Sequence, residues 1–354
     1  PPSRAYPSTR SRPCYPRLVP EDHALVAGLS GAGKSNFLNT LIASTMISYR
    51  PEEVQMYILD FKEGIEFNGY LKYRLPSLRS IATNSDKEFA LIMFQELEYE
   101  FTNRSEQFKK YDVLGIDAYN AIPGVTKFPK LILIFDEIQE LFSGSGNDSI
   151  VSDCLNIIRK IVAEGRACGI HLVFASQDFR NCSGISSLFS LMSIRVAIRG
   201  TDASASSVLD ANNTGYKSLA DRNPGAAIFN NGAGSAENNT FFQIAHHKPE
   251  ERNRLLSEFD KFYSEPEQVE KYKEYQTRCF LSTSESNPNN SFNKMISGLK
   301  PFKPISKMKD GYGLLLGTGI SRNEDLAPSM IKARGDNLLV VTNEFEMALS
   351  IFVH

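Results

Sequence analysis

Apolar and polar positions along this chain alternate in two periods. Short apolar runs at 24–27, 55–60, 130–136, 171–176, 194–199 and 226–230 predict buried strands. After the first run, Phe37, Leu38, Leu41 and Ile42 repeat at helical spacing. Between the second and third runs, Phe89, Ile92, Met93, Leu97 and Phe101 predict a long amphipathic helix over 86–110. Short strands alternating with helices predict an α/β fold, a parallel sheet covered by helices on both faces. Its crossovers are right-handed, and ligands sit at the C-terminal ends of the strands.

The polar stretches set the boundaries. Residues 1–20, rich in Pro, Ser and Arg, read as an irregular leader whose arginines are solvated. The alternating region occupies 21–247. From 248 to 310 the chain is polar, with a charged surface helix over 248–273 and a linker at 282–291. Apolar runs return in a last segment, 311–354.

With 354 residues and 42% hydrophobic content, one large domain or two can bury a core. A net charge of −2 gives no global basicity, so any surface for a polyanion must be local. The five cysteines are scattered without a C-x-x-C pair, which fits a reducing, cytoplasmic setting and neither a zinc site nor a disulfide frame. No apolar run reaches membrane-spanning length. The chain opens on Pro1, as expected of an excised segment whose parent carries any membrane attachment elsewhere.

The chemistry enters between the first strand and its helix. Gly28, Leu29, Ser30, Gly31, Ala32, Gly33, Lys34 and Ser35 fit G-x-x-x-x-G-K-[ST], with Asn36 following. Glycines let successive N–H groups converge on phosphate oxygens. Lys34 supplies charge to the β and γ phosphates, Ser35 can ligate Mg²⁺, and the helix N-terminus adds its dipole. The bland alternative is a turn that binds nothing, but a lysine in a tight turn has no packing reason to be there. The segment 337–353 repeats the strand–turn–helix layout without the glycines and lysine. It reads either as the start of a second, degenerate nucleotidase-like unit or as an ordinary strand–turn–helix.

A second motif completes the first. The run 131–135 ends in Asp136 and Glu137, and two adjacent acids at the end of a buried strand carry a desolvation cost that a metal ion offsets. Asp136 would hold Mg²⁺ and Glu137 would polarise the attacking water. Glutamate beside the aspartate marks the additional-strand, catalytic-glutamate class of P-loop ATPases, with ATP and Mg²⁺ as cofactors. Ser176 and Gln177 end the next strand as a polar sensor. Arg166, Arg195 and Arg199 are candidates for an arginine that reaches a neighbour's nucleotide, Arg166 the preferred one. His171 reads as a core histidine. His246 and His247 lack the partners of a metal site.

Taken in order, residues 23–28 with the glycine loop, Asp60 and Lys62, 131–137 and 166–177 resemble the FtsK/SpoIIIE-type motor ATPases over roughly 20–247. The resemblance implies a RecA-like domain, a homo-oligomeric hexameric ring with nucleotide at the subunit interface, and a polymer drawn through the pore. It makes Gln177 the sensor and Arg166 the trans-acting arginine. Three departures limit what the resemblance carries over: Asp178 stands where DNA translocases have Arg, the stretch 60–64 lies between their version and that of the related type VII secretion ATPases EssC and EccC, and in place of a winged-helix reader a linker and an apparent second, degenerate motor unit follow, as in the tandem EssC/EccC arrangement. Three functions remain: a motor moving double-stranded DNA, one moving or gating a secreted protein, and a non-translocating switch. For DNA, Lys62, Lys72, Arg74, Arg79 and Arg180 are the expected backbone contacts.

Overall fold

The predicted apolar runs all become strands. In the computed structural model they are β1 (Ala24–Ala27), β2 (Val54–Asp60), β4 (Lys130–Asp136), β5 (Ile170–Ser176), β6 (Ile194–Ile198) and β7 (Ala226–Asn230), joined by β3 (Leu78–Ala82) and β8 (Asn239–Gln243), which the apolar pattern did not mark. The structure describes residues 22–62, 67–83, 87–143, 149–182, 184–219, 222–275 and 277–280, and the backbone of short strands beyond 306. The chain divides into two units, Pro1–Thr277 and Arg278–His354.

In the first unit the strands stand in the order β8-β7-β6-β1-β5-β4-β2-β3. From β3 to β6 neighbours are parallel, and β2 and β4 pair in register from Val54↔Lys130 to Asp60↔Asp136. The expectation of a wholly parallel sheet needs correcting at one edge, where β7 runs antiparallel to β6 and β8 to β7. The β7–β8 connection is too short for a crossover helix, so the chain turns straight back. β5 lies between β1, which carries the glycine loop, and β4, which carries the acids. It is the additional strand of the sequence expectation.

Helices α1 (Lys34–Ser48), α2 (Lys87–Lys110), α3 (Ile116–Asn120), α4 (Ser149–Glu164), α5 (Asp202–Ser206), α6 (Pro249–Tyr263) and α7 (Pro266–Lys271) complete the unit. Side chains alternate along each strand, so the sheet feeds two cores. On one face Met56, Ile58, Ile132 and Ile134 join Phe37, Leu38, Leu41 and Ile42 of α1 and Leu256 of α6. On the other, the Phe135 ring lies 6.2 Å from Phe94 of α2 and 6.3 Å from Phe174. The single helix expected over 248–273 is broken into α6 and α7. Pro266 forces the preceding residue out of helical conformation, and Glu265 is extended at ψ 139°.

In the second unit the described backbone is a set of short antiparallel strands, Lys307–Met308, Gly311–Gly313 and Ser329–Ile331, and a pair, Gly317–Thr318 with Asp325–Leu326. The expected leader at 1–20, the linker at 282–291 and the strand–turn–helix at 337–353 lie outside the described residues.

Candidate active site

The glycine loop leaves β1 at the C-terminal end of the sheet and turns directly into α1. Gly31 and Gly33 take φ of 77° and 111°, the left-handed region that a side chain disfavours. Gly33 caps the helix with no side-chain bond. The first-turn N–H groups of α1 have no intrahelical acceptor and face the loop. Lys34, first residue of the helix, is only 4% exposed. Asn36 faces away from the loop: its Nδ2 donates to Ala245 O at 2.7 Å and its Oδ1 accepts from His247 N at 2.8 Å, tying α1 to the segment after β8. Only its backbone remains for the nucleotide role expected of it.

The two acids complete the site from β4. Lys34 Nζ is paired with Asp136 Oδ1, and with Glu137 Oε1 at 2.9 Å. Glu137 takes a left-handed φ of 56°, rare for a residue with a side chain and common at functional sites. Its Oε1 accepts from Gln177 Nε2 at 3.1 Å and its Oε2 from Gln139 Nε2 at 2.6 Å. Gln139 Oε1 in turn accepts from Ser176 Oγ at 2.7 Å. Ser176 is therefore turned to Gln139, and only Gln177 of the expected sensor pair touches the acid. Burial pushes Asp136 above its usual range against the attraction of Lys34. Burial opposes ionisation of Glu137 too, but the Lys34 charge and the hydrogen bonds from Gln139, Lys34 and Gln177 hold it below its ordinary value.

Two participants were given no role by the motif reading, although Asp60 stands among the residues that carry the resemblance. Asp60 ends β2 level with Asp136, and burial, with the charge of Asp136 beside it, pushes its carboxyl up to about 7 against a hydrogen bond from Lys62 N–H. Gln139 occupies the short 3₁₀ turn Ile138–Phe142, and nothing in its spacing distinguishes it from an ordinary polar turn residue. The register of β2 with β4 would have exposed Asp60; the sequence alone does not supply that register.

Other expectations fall elsewhere. Arg166 precedes β5, at the opposite end of the sheet from Lys34, and pairs with Asp22 at 3.2 Å, so it does not join this site within one chain. Arg195 is not free to act as a finger. It is buried in β6, and its guanidinium donates to the carbonyls of Met192 at 2.6 Å, Val208 at 3.1 Å and Phe189. Arg199 follows β6 at the glycine-loop end. Arg79 lies within β3, paired with Glu100 at 2.7 Å, not in a loop. Arg180 is paired with Asp178.

The donor set suits Mg²⁺ bound with a nucleotide. Ser35, Asp136 and Glu137 offer hard oxygen ligands, and among the described residues no three His, Cys, Asp or Glu side chains form a cage for an ion on their own. The ion would share its coordination with phosphate oxygens, as Mg²⁺ commonly does.

Comparison with known proteins bears on the family and the fold. The FtsK/SpoIIIE family model matches residues 7–181. The DNA translocase FtsK of Clostridium tetani is 33% identical over 159 residues, 44% of this chain and 20% of that protein. The ESX-1 secretion system protein EccCa1 of Mycobacterium tuberculosis is 28% identical over 197 residues, 51% of this chain and 25% of that protein. The chain thus spans a quarter or less of these relatives' length. Among solved structures, the cytoplasmic domain of the type VII secretion ATPase EccC of Thermomonospora curvata superposes with a TM-score of 0.56 at 23% identity, over 68% of this chain and 28% of that one, a likeness of fold.

Proposed function

From a chain that carries a domain of the FtsK/SpoIIIE family of motor ATPases, we propose an Mg²⁺-dependent ATP-hydrolysing ring motor that moves double-stranded DNA. One observation carries the hydrolytic part: Lys34 is buried at the mouth of the glycine loop, between Asp136 and Glu137. A buried ammonium held by two carboxylates can exchange them for phosphate oxygens with little change of position. Asp136 and Ser35 hold the Mg²⁺ ion, which when bound neutralises charge on the phosphates. Glu137, ionised by its surroundings, accepts a proton from the attacking water, and Gln177 fixes the orientation of its carboxylate. Arg166 acts on the nucleotide of a neighbouring subunit in a homo-oligomeric hexamer working in the cytoplasm.

A protein substrate is the second reading. Arg79 and Arg180, two of the cations expected on the DNA backbone, are already neutralised by Glu100 and Asp178. The test is steady-state ATP turnover with and without kilobase duplex, at low and moderate salt. Stimulation by duplex that fades with salt supports DNA, because backbone contacts release counterions. Turnover indifferent to duplex at low salt, yet raised by a peptide, supports the secretion branch.

A further inference from the structure

Lys62, expected as a polymer contact, reaches into the candidate site. It lies two residues past Asp60, whose Oδ1 accepts its backbone N–H at 2.8 Å and so fixes the turn leaving β2. From there its Nζ reaches Ser30 Oγ in the glycine loop at 3.2 Å and Glu137 Oε1 at 3.8 Å. The side chain is half exposed, so extension into water is open to it, yet the ammonium sits against a carboxylate that is only 3% exposed. An ordinary surface ion pair contributes little, but here the anion is buried.

Glu137 Oε1 therefore faces two ammonium groups. Lys34 approaches from below, at the start of α1, and Lys62 from the solvent rim. If Glu137 polarises the water that attacks the terminal phosphorus, a cation within ion-pair reach of Glu137 is also within reach of that phosphoryl group. A diphosphate ends one group short of it.

We propose that Lys62 is a terminal-phosphate-binding residue that exchanges Glu137 for the γ-phosphate of ATP, leaving the carboxylate free for water only when a triphosphate is present. The proposal rests on the ATPase reading above and adds to it a nucleotide-state switch at the end of β2. No covalent step is involved; an ion pair to Glu137 is replaced by one to phosphate.

The test is binding of ATP and ADP to the full chain, titrated with fluorescent analogues of each, in wild type, Lys62→Ala, Lys62→Arg and Lys34→Ala. Lys62→Ala should weaken ATP about tenfold, the scale of one charge-assisted hydrogen bond, and leave ADP unchanged. Lys62→Arg should keep the preference for ATP. Equal weakening of both nucleotides, or of neither, would overturn the proposal. So would a Lys62→Ala chain that keeps its ATP-to-ADP ratio but loses stimulation by duplex, which would make Lys62 a DNA contact. If wild type and Lys34→Ala bind nucleotide alike, the ATPase reading itself fails, and this inference with it.

Discussion

Lys34 has two roles that a single substitution separates. It is the cation expected to meet phosphate, and it is the buried partner of Asp136 and Glu137. Lys34→Ala should abolish nucleotide binding in an equilibrium titration. It should also lower folding stability by about 3 kcal/mol in denaturant unfolding, since two buried carboxylates lose their counter-charge. Lys34→Ala with unchanged unfolding would show that the three-way pairing is not maintained in solution. At this scale the sequence was most legible. The glycine loop, Lys34, Asp136, Glu137 and Gln177 were singled out from motif and strand context, because phosphate chemistry imposes fixed spacing, and the chain brings them together. Gln139 was not, and Asp60 and Lys62, though named in the resemblance, had no place in the site, because each position depends on which strand lies beside which, and spacing along one strand carries no such information.

At the scale of elements, the six apolar runs gave six strands, yet β3 and β8 went unmarked. β3 carries Arg79 and Ser80 among its five residues, and β8 at the edge is half polar with exposed Phe241 and Gln243, so neither reads as an apolar run. Arg195 illustrates how an element is held from inside. Burial lowers its guanidinium to about 10, and it donates to three carbonyls, those of Phe189 and Met192 at the 3₁₀ turn Ser186–Leu191 and that of Val208 after α5. Arg195→Ala should therefore cost about 3 kcal/mol of stability, read as a lower urea midpoint, because it leaves those carbonyls buried without donors. A change within experimental error would mean the carbonyls find water. The break between α6 and α7 was legible in principle, since Pro266 announces it.

At the scale of the molecule, acid stability and assembly can both be tested. His23 and His171, buried at the start of the sheet with ring centroids 6.2 Å apart, are lowered by burial to about 4 and about 3. Both are neutral in the folded chain, while the unfolded chain binds protons from about pH 6.5 downward. Their contribution is thus complete above that pH and is lost as pH falls towards 4. Asp60 and Asp136, raised by burial, act in the opposite direction, so the histidine contribution is read as a difference: denaturant midpoints of wild type and His171→Phe, measured from pH 8 to 4.5, should diverge below 6.5, with wild type losing more. Parallel profiles in the two chains would contradict the assignment. For assembly, mixing Arg166→Ala with Glu137→Gln subunits should restore part of the turnover that each lacks alone, if Arg166 serves a neighbour's site. Mixed rings that form and stay inactive would remove Arg166 from that role. Whether a DNA or a protein substrate is the better proposal was not legible in the sequence, because the same ATP-hydrolysing motifs serve both readings.

The most direct measurement is ATP turnover by wild type and Glu137→Gln across a range of protein concentrations, with ATP binding measured on the same samples. Wild-type turnover per subunit should rise with concentration as the shared sites form. Glu137→Gln should bind ATP and turn it over about a thousandfold more slowly, the scale of a lost general base. Equal turnover in Glu137→Gln would contradict the account at its centre.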